Sequence, residues 1–144
     1  MNYDKLMESV KKHEGFKDHV YLDSLSKRTV GFGHLCVEDH WKDGKKYDKK
    51  YLEDILEKDL QYAINQGESM CQDLKISDDA KFLIIEMIFQ LGSAGVQKFR
   101  KMWKALKEDP PNYEEASIQM LDSRWAKQTP NRAKEMSDHM RDCA

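Results

Sequence analysis

The chain has 144 residues, of which 35% are charged and 40% hydrophobic, and its formal net charge is −2 at pH 7. This length suits one domain, or two small lobes that share a helix, and it is enough to bury a hydrophobic core. Basic and acidic residues are spread evenly over both halves, which argues against a general nucleic-acid-binding surface.

The N-terminal segment has apolar residues at helical spacing, which predicts a helix from Asn2 or Tyr3 to about Lys12. Gly15 suits the position just after the C terminus of that helix. Two short β-prone runs follow, at residues 20–22 and 29–33. Together with turn chemistry in the Asp23-Ser-Leu-Ser segment between them, they indicate a small antiparallel sheet.

After a polar excursion at residues 38–50, helical periodicity returns from Tyr51 to about Gln66, and Gly67 is the predicted end of this helix. Ser77 or Asp78 is predicted to cap a third helix. Its body, residues 82–91, is apolar on nearly every face, which is typical of a central buried helix.

The C-terminal part is predicted to be helical. Gly92 and Gly95 are expected to break the central helix, and three further helices are predicted at residues 96–107, 113–121 and 131–141. The methionines in this part are expected to fill the core.

The three cysteines are odd in number and widely spaced, which predicts free thiols rather than a disulfide framework or a zinc site. They are Cys36, Cys71 and Cys143. The N-terminal residues lack the apolar core of a signal peptide, and no apolar run reaches the length of a membrane span. We therefore expect no signal peptide, synthesis in a cytoplasm and no membrane insertion.

The block from His13 to His34 contains the candidate catalytic residues. Glu14 follows the first helix, Asp23 stands on a turn, and Thr29 opens a strand. Glycoside hydrolysis needs two carboxylates in different surroundings, one protonated and one ionised. The neighbours of Glu14 can raise its pKa, a hydroxyl-rich turn keeps Asp23 ionised, and the Thr29 hydroxyl can hold a water against Asp23.

Each of these residues has a common structural explanation when it is taken alone. A glutamate near a helix end is usually solvated, and a threonine in a strand is usually a β-branched packing residue. Gly31-Phe32-Gly33-His34 lacks the features of a phosphate loop, so its glycines are expected to let a substrate or a helix approach closely. His34 is interpreted as a structural partner in an ion pair or hydrogen bond.

Taken together, three blocks resemble the phage-type lysozymes, the endolysin muramidases of T-even bacteriophages (glycoside hydrolase family 24). The first combines Glu14-Gly15, Tyr21-x-Asp23 and Thr29-x-Gly31-x-Gly33-His34. Residues 87–99 resemble the family's central buried helix, and residues 123–133 its C-terminal signature. The blocks occur in family order.

This resemblance implies an α+β fold that is mainly helical and lysozyme-like. A small N-terminal β-sheet lobe would be joined by a long helix to a helical C-terminal lobe. Residues 1–144 would form a single lysozyme domain, with a small α/β lobe at about residues 13–60. The helical lobe would contain residues 1–12 together with 61–144.

The resemblance also implies roles for individual residues. Glu14 matches the general acid, Asp23 the carboxylate on the opposite face of the sugar, and Thr29 the residue that positions the water. Four positions match substrate-binding residues: Leu35, Phe89, Gln90 and Arg132.

Further matches concern structural support. Arg132 also corresponds to an arginine that pairs with the catalytic glutamate. His34 and Asp59 correspond to a salt bridge that ties the sheet to the long helix. The chain departs from the family pattern at Ser26, where glycine is usual, in the short segment after His34, and at its early C terminus.

The implied function is hydrolysis, with inversion, of the β-1,4 bond between N-acetylmuramic acid and N-acetylglucosamine in peptidoglycan, for host cell lysis or wall penetration. No metal or cofactor and no nucleic-acid partner is implied. A monomer is expected that stays in the host cytoplasm until a separate holin-type protein gives access to the wall. A lytic transglycosylase and a catalytically silent peptidoglycan-binding module are the alternatives.

Overall fold

The computed structural model describes residues 3–23 and 26–143. Asn2, one of the two predicted starts of the first helix, and Ser24 and Leu25 of the predicted turn lie outside these residues. The chain divides into two compact units, Met1–Tyr62 and Ala63–Ala144. The elements in chain order are α1 (Tyr3–Glu14), β1 (Lys17–Leu22), β2 (Arg28–Gly31), β3 (His34–Leu35), α2 (Lys49–Cys71), α3 (Asp78–Gln97), α4 (Arg100–Leu106), α5 (Tyr113–Leu121), α6 (Arg124–Gln128) and α7 (Pro130–Arg141).

The first helix extends two residues beyond its predicted end, so that Glu14 is its last residue. Leu6 and Val10 are its buried side chains. Gly15 adopts φ 68° and its N–H donates to the Lys11 carbonyl at 3.1 Å. The positive φ is the conformation that glycine allows at low cost after a helix, as the sequence predicted.

The sheet has three antiparallel strands in the order β1-β2-β3. The third strand was not predicted, because two residues are too short to show an alternating pattern. Directly opposite pairs include Tyr21 with Thr29, and Thr29 with Leu35. These three residues therefore form one row across the sheet and project from the same face.

One buried cluster of the first unit is partly aromatic. Val30, Trp41 and Leu52 are buried together. A β-carbon at Gly31 would lie 3.2 Å from the Leu52 β-carbon, so this glycine lets α2 lie close to β2. The predicted close approach of a helix is therefore present at Gly31.

Helix α2 contributes residues 49–62 to the first unit and 63–71 to the second. The predicted end at Gly67 is wrong, because the helix continues to Cys71. A β-carbon at Gly67 would lie 2.5 Å from Ile85 Cγ1. The glycine therefore serves close packing of α2 against α3, a tertiary requirement that local pattern does not reveal.

Helix α3 begins as predicted, with Ser77 as N-cap, its Oγ accepting from the Ala80 N–H at 3.2 Å. The predicted break is present at Gly92, which has φ 77° and ψ 161°, but not at Gly95, which remains helical. Gly92 therefore kinks α3 without ending it, and the helix continues to Gln97. Helix α4 begins at Arg100 rather than at residue 96.

The last helices agree with prediction except for α6. Helix α5 spans residues 113–121 as predicted, and α7 begins one residue early, at Pro130. The five-residue α6 was missed, although Ser123 caps it by accepting from the Ala126 N–H at 3.1 Å. A segment of five residues is too short for a helical period to be recognised.

The core of the second unit is aliphatic and rich in methionine, as expected. Its fully buried side chains include Ile84, Ile85, Met87, Met102, Leu106, Met120 and Met140. All three cysteines are free thiols, as predicted, and burial raises the pKa of Cys71 to about 11. Among the described residues, no helix has the length and apolar character needed to cross a membrane.

The predicted α+β, mainly helical class is confirmed by the three-stranded sheet and the helices that follow it. The first compact unit contains α1 together with the sheet. The predicted single domain, with residues 1–12 assigned to the helical lobe, stays a prediction.

Candidate active site

Glu14 lies half-buried at the C-terminal end of α1, against the backbone of Gly33. A β-carbon at Gly33 would lie 2.7 Å from Glu14 Oε2 and 3.2 Å from Glu14 Cδ. Gly33 also adopts φ 81°, where other residues are strained. Position 33 therefore requires glycine for two reasons: the positive φ, and the room that the Glu14 carboxylate needs.

Asp23 is fixed at the end of β1 by the backbone of Lys27. The Asp23 N–H donates to the Lys27 carbonyl at 2.9 Å, and Asp23 Oδ1 accepts from the Lys27 N–H at 2.9 Å. The turn contains Ser26 at φ 59°, in the left-handed region. The departure from the family's usual glycine thus places a serine in a conformation that strains L-residues, while the two hydrogen bonds orient the Asp23 carboxylate.

Thr29 is also hydrogen-bonded to the Lys27 carbonyl, which accepts from the Asp23 N–H. Its hydroxyl donates to the Lys27 carbonyl at 3.0 Å, and the residue is only 2% exposed. Because that bond uses the hydroxyl proton, the oxygen is left to accept. A water placed between Thr29 and Asp23 would donate one proton to each, leaving an oxygen lone pair for another atom.

Lys27 is a site residue that sequence reasoning missed. Its backbone N–H and C=O connect Asp23 with Thr29, so the two side chains share one anchor. It had no recognisable signal, because any residue type provides these backbone groups.

Tyr21 lies beside these groups, in the row with Thr29 and with Leu35, which is 43% exposed. Burial raises the pKa of Tyr21, and the negative charges of Glu14 and Asp23 raise it further. The phenol is thus electrostatically close to both carboxylates. The first unit therefore brings together Glu14, Asp23, Thr29 and Leu35, all of which were predicted.

The predicted pairing of His34 with Asp59 is present, with Nδ1 and Oδ2 2.7 Å apart. A second carboxylate was missed: His34 Nε2 lies 2.6 Å from Glu38 Oε1, which also accepts from Trp41 Nε1 at 3.1 Å. The hydrogen bond with Asp59 raises the pKa of His34 to about 9 against the effect of burial, and Glu38 adds to the rise. Burial opposes ionisation of Glu38, but its hydrogen bonds from His34 and Trp41 lower its pKa.

The remaining predicted residues lie in the second unit. Gln90 Oε1 accepts from Trp125 Nε1 at 2.9 Å, which fixes the amide, and Phe89 is half-buried. Arg132 Nη2 donates to Glu86 Oε2 at 3.3 Å.

Glu86 was not predicted. It is only 8% exposed and lies in the largely apolar body of α3. Its partner, Arg132, is distant in sequence. The predicted pairing of Arg132 with Glu14 joins residues of different units and stays a prediction.

Comparison with known proteins gives consistent matches. The family model described as phage lysozyme matches residues 11–139. Two proteins of Dictyostelium discoideum, named probable T4-type lysozyme 1 and 2, are each 30% identical over 152 residues, covering 89% of this chain and 88% of theirs. The peptidoglycan hydrolase gp36 of Pseudomonas phage phiKMV is 27% identical over 131 residues, which cover 88% of this chain but 14% of that protein. Because the family match spans most of the chain, this protein belongs to the phage lysozyme family and is a glycoside hydrolase.

Proposed function

We propose that this protein hydrolyses the β-1,4 bond between N-acetylmuramic acid and N-acetylglucosamine in bacterial peptidoglycan, with inversion at the anomeric carbon. Membership of the phage lysozyme family and similarity to a protein named peptidoglycan hydrolase support this substrate. The observation that carries the mechanism is the shared attachment of Asp23 and Thr29 to the Lys27 backbone.

Glu14 acts as the general acid. Its carboxyl group protonates the glycosidic oxygen as the bond to the anomeric carbon breaks. Packing against Gly33 supports this role, because it limits the positions that the carboxyl group can take. A general acid must stay within hydrogen-bond reach of the leaving oxygen.

Asp23 and Thr29 hold the attacking water. The water donates one hydrogen bond to Asp23, which is the general base, and one to the Thr29 hydroxyl oxygen. The Thr29 hydroxyl proton is itself donated to the Lys27 carbonyl oxygen. The lone pair of the water is then directed at the anomeric carbon. After attack, the proton moves to Asp23, and the product carries the water oxygen at the reducing end in the α configuration.

This arrangement favours inversion over retention. In an inverting enzyme the second carboxylate activates water, whereas in a retaining enzyme it attacks the sugar itself. Because the Lys27 N–H holds Asp23 Oδ1, and a hydroxyl acceptor stands on the adjoining strand, the groups suit water better than direct attack.

The test is product analysis on purified peptidoglycan in ¹⁸O-labelled water. We expect one heavy oxygen at each new reducing end, and an α anomer in NMR spectra taken before mutarotation. A β product, or a sugar attached to Asp23, would contradict inversion. Anhydro products lighter by one water would indicate a lytic transglycosylase, and no products a silent binding module.

We also propose that the enzyme acts as a monomer in host lysis or wall penetration, and that it reaches the wall through a separate holin-type protein. This rests on family membership. Bacteria expressing the chain alone should stay intact and then lyse when their membrane is permeabilised. Lysis without permeabilisation would contradict the need for a separate protein.

A further inference from the structure

Tyr21 lies at the proposed site without a role in the reaction as described. It is directly opposite Thr29 in the sheet and two residues before Asp23. The row that it forms with Thr29 and Leu35 projects its ring from the same face as the water-holding hydroxyl.

The three residues that perform the proposed reaction have no hydrogen-bond donor to spare for the sugar. Thr29 donates its proton to the Lys27 carbonyl. Asp23 only accepts while it is ionised, and the Glu14 proton goes to the leaving oxygen. Both sugars of peptidoglycan carry an acetamido group, whose carbonyl oxygen needs a donor when it is removed from water.

We infer that Tyr21 is a further substrate-binding residue, whose phenol hydroxyl donates a hydrogen bond to the acetamido carbonyl oxygen of a sugar at the cleaved bond. This inference rests on the proposed function and deepens it, because it assigns a residue to recognition of the N-acetyl group.

The surroundings of the phenol suit a donor. Burial and the charges of Glu14 and Asp23 raise its pKa, with a smaller contribution from Cys36, so the hydroxyl keeps its proton throughout the neutral range. Lys17 Nζ lies 5.3 Å from the ring centroid. This cation–π contact helps to hold the ring while the hydroxyl serves the substrate.

The test compares Tyr21→Phe with the wild type on peptidoglycan before and after removal of its N-acetyl groups. Loss of one hydrogen bond predicts that kcat/KM falls about 10-fold on the acetylated substrate. On the de-N-acetylated substrate the two proteins should be equally slow, because the partner group is gone. Tyr62→Phe is the matched control, since Tyr62 is 58% exposed on α2, and it should leave both rates unchanged.

Unchanged kcat/KM for Tyr21→Phe on a substrate that the wild type hydrolyses would overturn the inference but not the proposed function. A fall in the kcat/KM of Tyr21→Phe by the same factor on both substrates would overturn it as well, because the loss would then not depend on the N-acetyl group. If the wild type itself does not hydrolyse peptidoglycan, the proposed function fails separately.

A binding measurement decides the inference even if Tyr21→Phe does not fold. The Glu14→Gln variant, labelled with ¹³C at the phenol carbon of tyrosine, is titrated with an N-acetylglucosamine oligomer. The Tyr21 resonance is identified as the one whose ionisation midpoint falls in Asp23→Asn. We expect this resonance to shift on binding of the oligomer; its constancy at saturation would overturn the inference.

Discussion

The two compact units of this protein are stabilised in different ways. In the first, buried apolar side chains, among them the cluster of Val30, Trp41 and Leu52, are supplemented by hydrogen-bonded charges, above all His34 between Asp59 and Glu38. The second unit buries a large set of aliphatic and methionine side chains. Hydrogen bonds and ion pairs fix direction, whereas hydrophobic burial is non-directional and scales with area.

The difference matches the placement of the proposed chemistry. Glu14, Asp23 and Thr29 all lie in the first unit, where hydrogen bonds to the Lys27 backbone and contact with Gly33 fix their geometry. Catalytic groups must be held within a fraction of an ångström of their working positions. The second unit is expected to tolerate pH change better, because few ionisable groups lie in its core.

The largest expected effect separates two glutamates, one in each unit. Glu14→Gln should lower hydrolysis by roughly 10²–10⁴-fold or more, because the amide cannot donate a proton to the leaving oxygen. Its stability should stay close to that of the wild type, since Glu14 is half-buried at a helix end and the amide is nearly isosteric. Muropeptide release and thermal unfolding measure the two effects.

Glu86→Gln is the matched control. It weakens a buried pair with Arg132 in the second unit, so the free energy of unfolding should fall by about 1–3 kcal/mol. Near-native turnover in a folded Glu14→Gln protein would refute its role as general acid.

Removing core volume from the second unit should produce a large loss that does not depend on pH. Ile84 is fully buried in α3, and Ile84→Ala should lower the free energy of unfolding by about 2–5 kcal/mol. Urea unfolding at pH 5, 7 and 9 should give the same difference from the wild type each time. A difference that varied strongly with pH would contradict the hydrophobic origin of this unit's stability.

His34→Ala should instead give a loss that depends on pH. The folded pKa of about 9 is above the ordinary 6.5, so the contribution of His34 is complete below about pH 6.5 and is lost as the pH rises through 9. The pKa of Glu38 is lowered, so its share is lost as the pH falls through its folded value. The penalty should therefore be largest between about pH 5 and 6.5, at up to about 3 kcal/mol.

Denaturant unfolding from pH 5 to 10 measures this profile. His19→Ala provides the control, since His19 pairs with Asp18 on the surface, where ion pairs contribute little. An equal penalty for His34→Ala at every pH would show that packing, rather than charge, accounts for its contribution.

The sequence predicted the features that have local causes and missed those that depend on the backbone or on residues distant in sequence. Glu14, Asp23 and Thr29 were predicted because they fall within one short block that resembles the family's active-site block. Lys27 was missed because it acts through its backbone. Glu38 was missed because nothing local distinguishes it from a surface glutamate. Glu86 was missed because its partner, Arg132, is distant in sequence, although its place in a largely apolar helix is a local sign of burial.

Elements behaved similarly. The nine-residue α5 was predicted to the residue, and the longer α2 and α3 were predicted with different ends. The two-residue β3 and the five-residue α6 were too short to recognise. Gly67 was read as a helix end because glycine is locally a helix breaker, while its packing against Ile85 depends on tertiary structure.

Two glycines, one in each unit, lie in close contact with a side chain and allow the comparison of the two units to be sharpened. Gly33→Ala should displace the Glu14 carboxyl group, and Gly67→Ala should displace the Ile85 side chain. Each should lower stability by about 1–3 kcal/mol through overpacking, to which Gly33→Ala adds backbone strain at φ 81°. Only Gly33→Ala should also lower kcat, measured on soluble muropeptides at saturation. Equal kcat values for the two variants would show that the contact with Gly33 does not position Glu14.

The smallest expected effect concerns the strained turn in the first unit. Ser26 has φ 59°, so Ser26→Gly should relieve backbone strain and raise the free energy of unfolding by about 0.5–1 kcal/mol. The gain is limited because glycine also gives the unfolded chain more freedom. Gly44→Ser is the reciprocal control: Gly44 has φ 79° and a β-carbon there would meet nothing within 4 Å, so any loss comes from the backbone alone. Thermal unfolding of both variants should show changes of similar size and opposite sign. If Ser26→Gly destabilised the protein, the serine side chain would be contributing to the Asp23 turn by more than the strain it imposes.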